Sequence, residues 1–196
     1  MKNPPAPVPV APGGRTPFRT LGHVLVVVVV VVLVALPPRQ ANTARTGEVV
    51  PVTGAATVLD GDSLRIDGQE IRLHGVDAWE AQQTCPDQKG QPFPCGAMAS
   101  AFLQELVKDE PVLCIPLLRD RYRRLVSHCL LRGRDLGWIL VEKGWAVAYT
   151  RYSDYYRSSE QQARDQRLGG WRGGASHEPR SPETWRIANR SRSNHR

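Results

Sequence analysis

Several common chemistries have no foothold in this 196-residue sequence. It contains no C-x-x-C pair, and none of its five histidines (His23, His74, His128, His177, His195) stands at finger spacing from another ligand. A zinc site is therefore weakly supported. No G-x-S-x-G, H-E-x-x-H or Gly-rich phosphate loop occurs. That excludes the nucleophile-elbow hydrolase, zinc-peptidase and P-loop patterns. No internal repeat is visible. A strong net charge is also missing from most of the chain. The formal charge is +7, but Lys2, Arg15, Arg19 and Arg39 precede any acid. The rest holds 22 Lys/Arg against 19 Asp/Glu, a net +3. A body this mildly basic is no polycation. Binding to nucleic acid would have to come from local arginines.

One long apolar run is present. Residues 24–36 read VLVVVVVVVLVAL, preceded by Arg15 and Arg19 and ended by Pro37-Pro38. A basic stretch followed by about a dozen apolar residues fits a secretory signal. Counted back to Leu21, the run is also long enough to leave an uncleaved membrane anchor open. The expected order is a disordered Pro/Gly/Ala-rich leader over 1–20, a signal or anchor over 21–36, a polar linker over 37–47, a folded domain over 48–172 and a basic polar tail over 173–196. Export to the cell envelope or beyond is the expected location.

The four cysteines (Cys85, Cys95, Cys114 and Cys129) all follow the apolar run. In an exported chain an even count favours disulfides over free buried thiols. Three connectivities are possible. The favoured one closes the Pro-rich loop with Cys85–Cys95. It also joins Cys114 to Cys129, which a hairpin turning at Arg121-Tyr122 would set directly opposite each other.

From Glu48 the pattern is one of short strands. Val49–Leu59 reads as the first, Leu64 and Ile66 alternate in a second, and Ile71 and Leu73 in a third, with Asp67-Gly68 as a hairpin turn between the last two. Ala99, Phe102, Leu103 and Leu106 predict a helix over 96–108. Residues 112–115 and 125–130 read as two more strands. Asp135 is placed to cap a helix that Gly144 ends, and Trp145–Tyr149 reads as an apolar connector. Ser153 or Asp154 is placed to cap a last helix ending at Gly169-Gly170. Five strands with a helix after the third give an α+β chain. The expected fold is a small five-stranded oligonucleotide-binding (OB-fold) β-barrel with three helices.

The residues suited to chemistry are acids and arginines. Asp60-Gly61-Asp62-Ser63, Arg72 and Asp77-Ala78-Trp79-Glu80 lie within about twenty residues, and Asp120-Arg121-Tyr122-Arg123-Arg124 follows later. Hard oxygens suit a metal ion and a guanidinium suits a phosphate. The EF-hand version fails, because Leu64 and Arg65 stand where a ligand and a glycine are needed. Taken singly, each segment is as well explained by a solvated turn or a snorkelling arginine.

Their order is more specific. With Arg72-Leu73-His74-Gly75-Val76-Asp77-Ala78-Trp79-Glu80 and Leu140-Val141-Glu142-Lys143-Gly144-Trp145-Ala146, these segments resemble the thermonuclease, or staphylococcal-nuclease-like, family over residues 48–172. The resemblance implies a calcium-dependent phosphodiesterase, acting as a monomer on DNA and/or RNA. Asp62, Asp77 and the Ala78 carbonyl would hold calcium, and Glu80 would orient or deprotonate the attacking water. Arg72 and Arg124 would clamp the phosphate. Arg121, Tyr122 and Tyr149 would contact the remaining substrate. Two positions depart from the family pattern. Trp79 replaces a proline, which is expected to loosen Ala78 and crowd the site. Arg123 replaces a glycine, which strains the turn if φ there is positive. The competing expectation is a barrel that binds nucleic acid without cutting it.

Overall fold

The computed structural model describes residues 50–151 and 153–193. The expected leader, signal or anchor, and linker lie outside the described residues. Among the described residues no helix is long and apolar enough to cross a membrane.

The main sheet is mixed and curled. It runs β1 (Val52–Gly54), β8 (Val112–Arg119), β9 (Leu125–Leu131), β4 (Gln69–Leu73), β3 (Ser63–Ile66), β2 (Thr57–Asp60), with β10 (Arg134–Asp135) paired to β9. The expected first strand is broken into β1 and β2, which pair with opposite ends of this order. Only two residues separate them, so the sheet must bend back on itself. All its neighbours are antiparallel except β4 and β9, which run parallel with Arg72 opposite Val126. This arrangement, with helices attached, is compatible with an oligonucleotide-binding α+β fold.

The hairpin at Asp67-Gly68 forms as expected, both residues having positive φ (47° and 76°). Alternation then puts Leu64, Ile66, Ile71 and Leu73 inside, where they meet Ala99, Leu103 and Val107 of helix α1 (Cys95–Val107). Helix α2 (Leu136–Glu142) starts as its sequence predicts, with the Asp135 carboxylate accepting the Trp138 N–H at 3.0 Å. Both favoured disulfides are present. Cys114 and Cys129 are direct cross-strand partners on β8 and β9, with Cα atoms 4.0 Å apart; Cys85, on the short strand β6 (Cys85–Pro86) that pairs with β7 (Pro92–Phe93), joins Cys95.

Three expectations need correction. Residues 145–149 are not simply a connector. Ala146–Ala148 form β11, which pairs with β5 (Val76–Ala78) in a separate two-stranded sheet. Helix α3 (Arg157–Asp165) has no side-chain cap from Ser153 or Asp154, because Ser153 Oγ instead accepts the Tyr155 N–H. Nor is it the last helix. Beyond residue 172 the chain completes 3₁₀ turns at Gly169–His177 and then forms helix α4 (Pro182–Ser193). That segment is too polar to show an apolar helical stripe, so its sequence reads as a tail.

Replacing Cys114 and Cys129 together with alanine should cost about 2–4 kcal/mol of stability, since the bond closes a 15-residue separation. Urea denaturation of the oxidised protein measures this. A second expectation concerns His74. Burial and the neighbouring His128 ring, 4.9 Å away, hold its pKa below the ordinary 6.5, although Asp135 opposes them. Its buried Nδ1 has no hydrogen-bond partner. The unfolded chain therefore protonates this histidine first. Its contribution is intact above pH 6.5 and is lost as pH falls below that value. Melting temperatures between pH 7.5 and 5.5 should drop less steeply in His74→Phe than in the parent.

Candidate active site

The Asp60-Gly61-Asp62 turn lies against β5. A Cβ on Gly61 would stand 2.7 Å from the Ala78 Cβ, so any side chain there would push the turn away. Glycine lets Asp62 reach across. Asp60 steadies the turn by accepting the Asp62 N–H at 3.0 Å, the role left to it once Asp62 and Asp77 take the site. Asp62 Oδ2 accepts the Ala78 N–H at 2.9 Å.

Strand register brings in the arginine. Arg72 on β4 pairs with Ser63 on β3, one residue beyond Asp62. Its guanidinium donates Nη1 to Asp62 Oδ1 at 2.6 Å and Nη2 to Asp77 Oδ1 at 3.1 Å. Asp62 is 4% exposed and Asp77 1%. Arg72 is thus shared between two buried acids. Burial pushes the Asp62 carboxyl up to about 7 despite Arg72, with Asp60 and Asp77 adding to the rise. Burial works against the Arg72 charge, but Asp62 and Asp77 outweigh it and raise its pKa.

Glu80 is held by its own loop. Its N–H donates to Gln83 Oε1 at 3.1 Å and its carbonyl accepts the Gln83 N–H at 2.7 Å. Gln83 is fully buried and also donates Nε2 to the Arg180 carbonyl at 2.8 Å. Trp79 does not crowd the site. Its indole is in the core, donates Nε1 to the Gly144 carbonyl at 2.9 Å and packs edge-on against Trp171. A Cβ on Gly170 would lie 2.3 Å from that ring, so Trp79 is closely packed from the far side. The expected loosening is therefore replaced by an anchor.

Arg186 was missed as a site residue. From α4 it donates Nη1 to Asp77 Oδ1 and Nη2 to Asp77 Oδ2, both at 2.9 Å, and Nη1 also to Glu80 Oε1. The hydrogen bond to Asp77 raises its pKa, against burial. The only sequence signal was the Trp185-Arg186 pair itself, more than a hundred residues from the acids.

Structure thus brings Asp62, Arg72, Asp77, Ala78, Glu80 and Arg186 together. Arg124 stands one residue before β9, beside β4. Its Nε and Nη2 bond Asp120 Oδ2 at 2.9 and 2.8 Å, so within the described contacts it serves a turn rather than the acids. That turn has Arg123 at φ 69°, the positive value anticipated. For a non-glycine residue this costs about 1–2 kcal/mol. Arg121 lies 4.8 Å over the exposed Tyr122 ring. Tyr149 donates its backbone N–H to the Gly75 carbonyl and lines a cleft of about 440 Å³ together with Asp77.

Among the described residues, no group of three or more His, Cys, Asp or Glu side chains is placed to hold a metal ion. The site offers the carboxylates of Asp62 and Asp77, with the Ala78 N–H held to Asp62. Hard, buried oxygens of this kind fit a divalent cation such as calcium.

Residues 70–173 match the family described as staphylococcal nuclease homologue. The chain is 36% identical over 167 residues to a succinoglycan biosynthesis protein, ExoI, of Rhizobium meliloti, covering 84% of this chain and 81% of that protein. It is 31% identical over 119 residues to a probable endonuclease, LCL3, of Schizophyllum commune, covering 52% of this chain but only 39% of that protein. It is also 30% identical over 118 residues to the staphylococcal-like nuclease CAN1 of Arabidopsis thaliana, covering 59% of this chain and 32% of that protein.

Arg72→Met should lower stability by about 3–5 kcal/mol, because it leaves the buried Asp62 without its cation. Asp62→Asn in the same chain should recover part of that loss. A double-mutant cycle by chemical denaturation measures the coupling, and strictly additive effects would contradict a shared ion pair.

Proposed function

Because the chain belongs to the staphylococcal nuclease homologue family, we propose that it is a calcium-dependent nuclease hydrolysing phosphodiester bonds of DNA, RNA or both. The observation that carries this reading is the guanidinium of Arg72 set between two buried carboxylates, with Glu80 three residues beyond Asp77. A site of this kind has hard oxygens for a cation and a planar fork for a phosphate. The likeness to proteins named as endonucleases supports it. The name of the Rhizobium meliloti relative supplies no chemistry for these residues. On this reading the curled sheet is the five-stranded oligonucleotide-binding barrel.

Asp62, Asp77 and the Ala78 carbonyl would hold the ion, which when bound supplies Lewis-acid polarisation of a phosphate oxygen. Glu80 orients the attacking water or takes its proton. Arg72 and Arg124 fork to the phosphate and stabilise the charge that builds on it. To reach substrate, Arg124 has to trade Asp120 for phosphate. Tyr122, exposed beside Arg121, presents a face on which a base can stack, and Tyr149 lines the cleft next to Asp77. A role limited to binding is disfavoured, because three carboxylates beside a polyanion weaken binding unless a cation joins them. The two disulfides support work in an oxidising compartment, and hence export.

The purified full-length chain should degrade single-stranded DNA or RNA with calcium and stop when a chelator is added. Glu80→Gln and Arg124→Ala should each lower kcat by about a hundredfold or more. Full activity in either variant would remove that residue from the mechanism. Cleavage that persists in chelator would remove calcium.

A further inference from the structure

Asp77 carries more positive charge than Arg72 alone provides, and the second guanidinium comes from the far end of the chain. Arg186 takes both Asp77 oxygens in a fork, at 2.9 Å each, and reaches Glu80 with the same Nη1. A bidentate fork occupies the lone pairs that face it. A divalent cation drawn to Asp77 meets oxygens already engaged, and a water meets a Glu80 already paired. Arg186 and the cation compete for one set of atoms.

The helix that carries Arg186 is suited to release. From Pro182 to Arg190 only Pro182 is buried. The contacts that tie this end of the chain down include the hydrogen bond from Gln83 to the Arg180 carbonyl and an ion pair of Arg151 with Glu183 at 3.1 Å. That pair is largely exposed and contributes little. A segment with few buried apolar contacts opens at low cost. Its position matters as well. Ser181 and Glu183 form one side of the cleft that Asp77 and Tyr149 line, so the same segment walls the approach to the acids.

We propose that α4 is an autoinhibitory latch, in which Arg186 serves as a built-in cation that a divalent ion must displace from Asp77 and Glu80. This rests on the reading of the site as cation-dependent. The latch keeps the buried Asp77 and the half-buried Glu80 paired with a cation, and it ties opening of the cleft to the arrival of the ion. By linkage, whatever loosens α4 tightens ion binding, and ion binding loosens α4 by the same factor.

Calorimetric titration of calcium into the full-length protein, without nucleic acid, tests this. Arg186→Gln should bind calcium at least about fivefold more tightly than the parent. Equal or weaker binding by the variant overturns the latch and leaves a calcium site standing. If neither protein binds calcium, the cation-dependent reading falls as well. Hydrogen exchange over residues 182–193 of the parent gives an answer that does not depend on the variant folding. Saturating calcium should speed exchange there, and unchanged protection would overturn the proposal.

Discussion

The arginine of β4, shared between Asp62 and Asp77, is the interaction on which the rest of the site depends. Both acids are almost wholly buried, where a carboxylate needs a cation or hydrogen bonds beside it, and the turn, β4 and β5 each contribute one group to the cluster. The cluster therefore ties three pieces of backbone together. A buried ion pair of this kind adds little to stability beyond what an apolar core would provide. Its persistence makes sense as chemistry. Asp77 also takes a further cation, and the structure offers one in Arg186.

The acids and Arg72 were legible because the residues that meet in space are close in sequence. A two-residue hairpin and alternation along two short strands carry Arg72 back to Asp62, and period-two patterning shows both. Cross-strand cysteines were legible for the same reason. Arg186 was not, because its partners lie more than a hundred residues away and α4 lacks an apolar stripe that would mark it as packed. Strand β11 was hidden differently. Ala146, Val147 and Ala148 are all buried, so the run shows no alternation, and its partner β5 is three residues long. Gln83 gave no signal at all, since its importance lies in backbone groups it alone can reach.

The two departures from the family pattern turn out to act at different levels. Trp79 belongs to packing. Its ring joins the β5 end to the segment around Gly144, Gly170 and Trp171, and so replaces a stiff backbone residue with a fixed side chain. Arg123 belongs to local backbone geometry. It keeps a left-handed conformation without glycine's freedom, and the Asp120 carboxylate offsets part of that cost by accepting the N–H groups of Tyr122 and Arg124.

The Cys85–Cys95 bond closes a ring that starts two residues after Gln83, and Cys95 opens helix α1. Just beyond it, the Gly96 N–H donates to the Gln83 carbonyl, and a Cβ on Gly96 would fall within 1.6 Å of the Glu80 carbonyl oxygen. The placement of Glu80 therefore has a redox history. With the two thiols oxidised, the chain just past the Glu80–Gln83 turn is tied covalently to the start of that helix. With them reduced, the same turn is held against the helix by hydrogen bonds and packing alone.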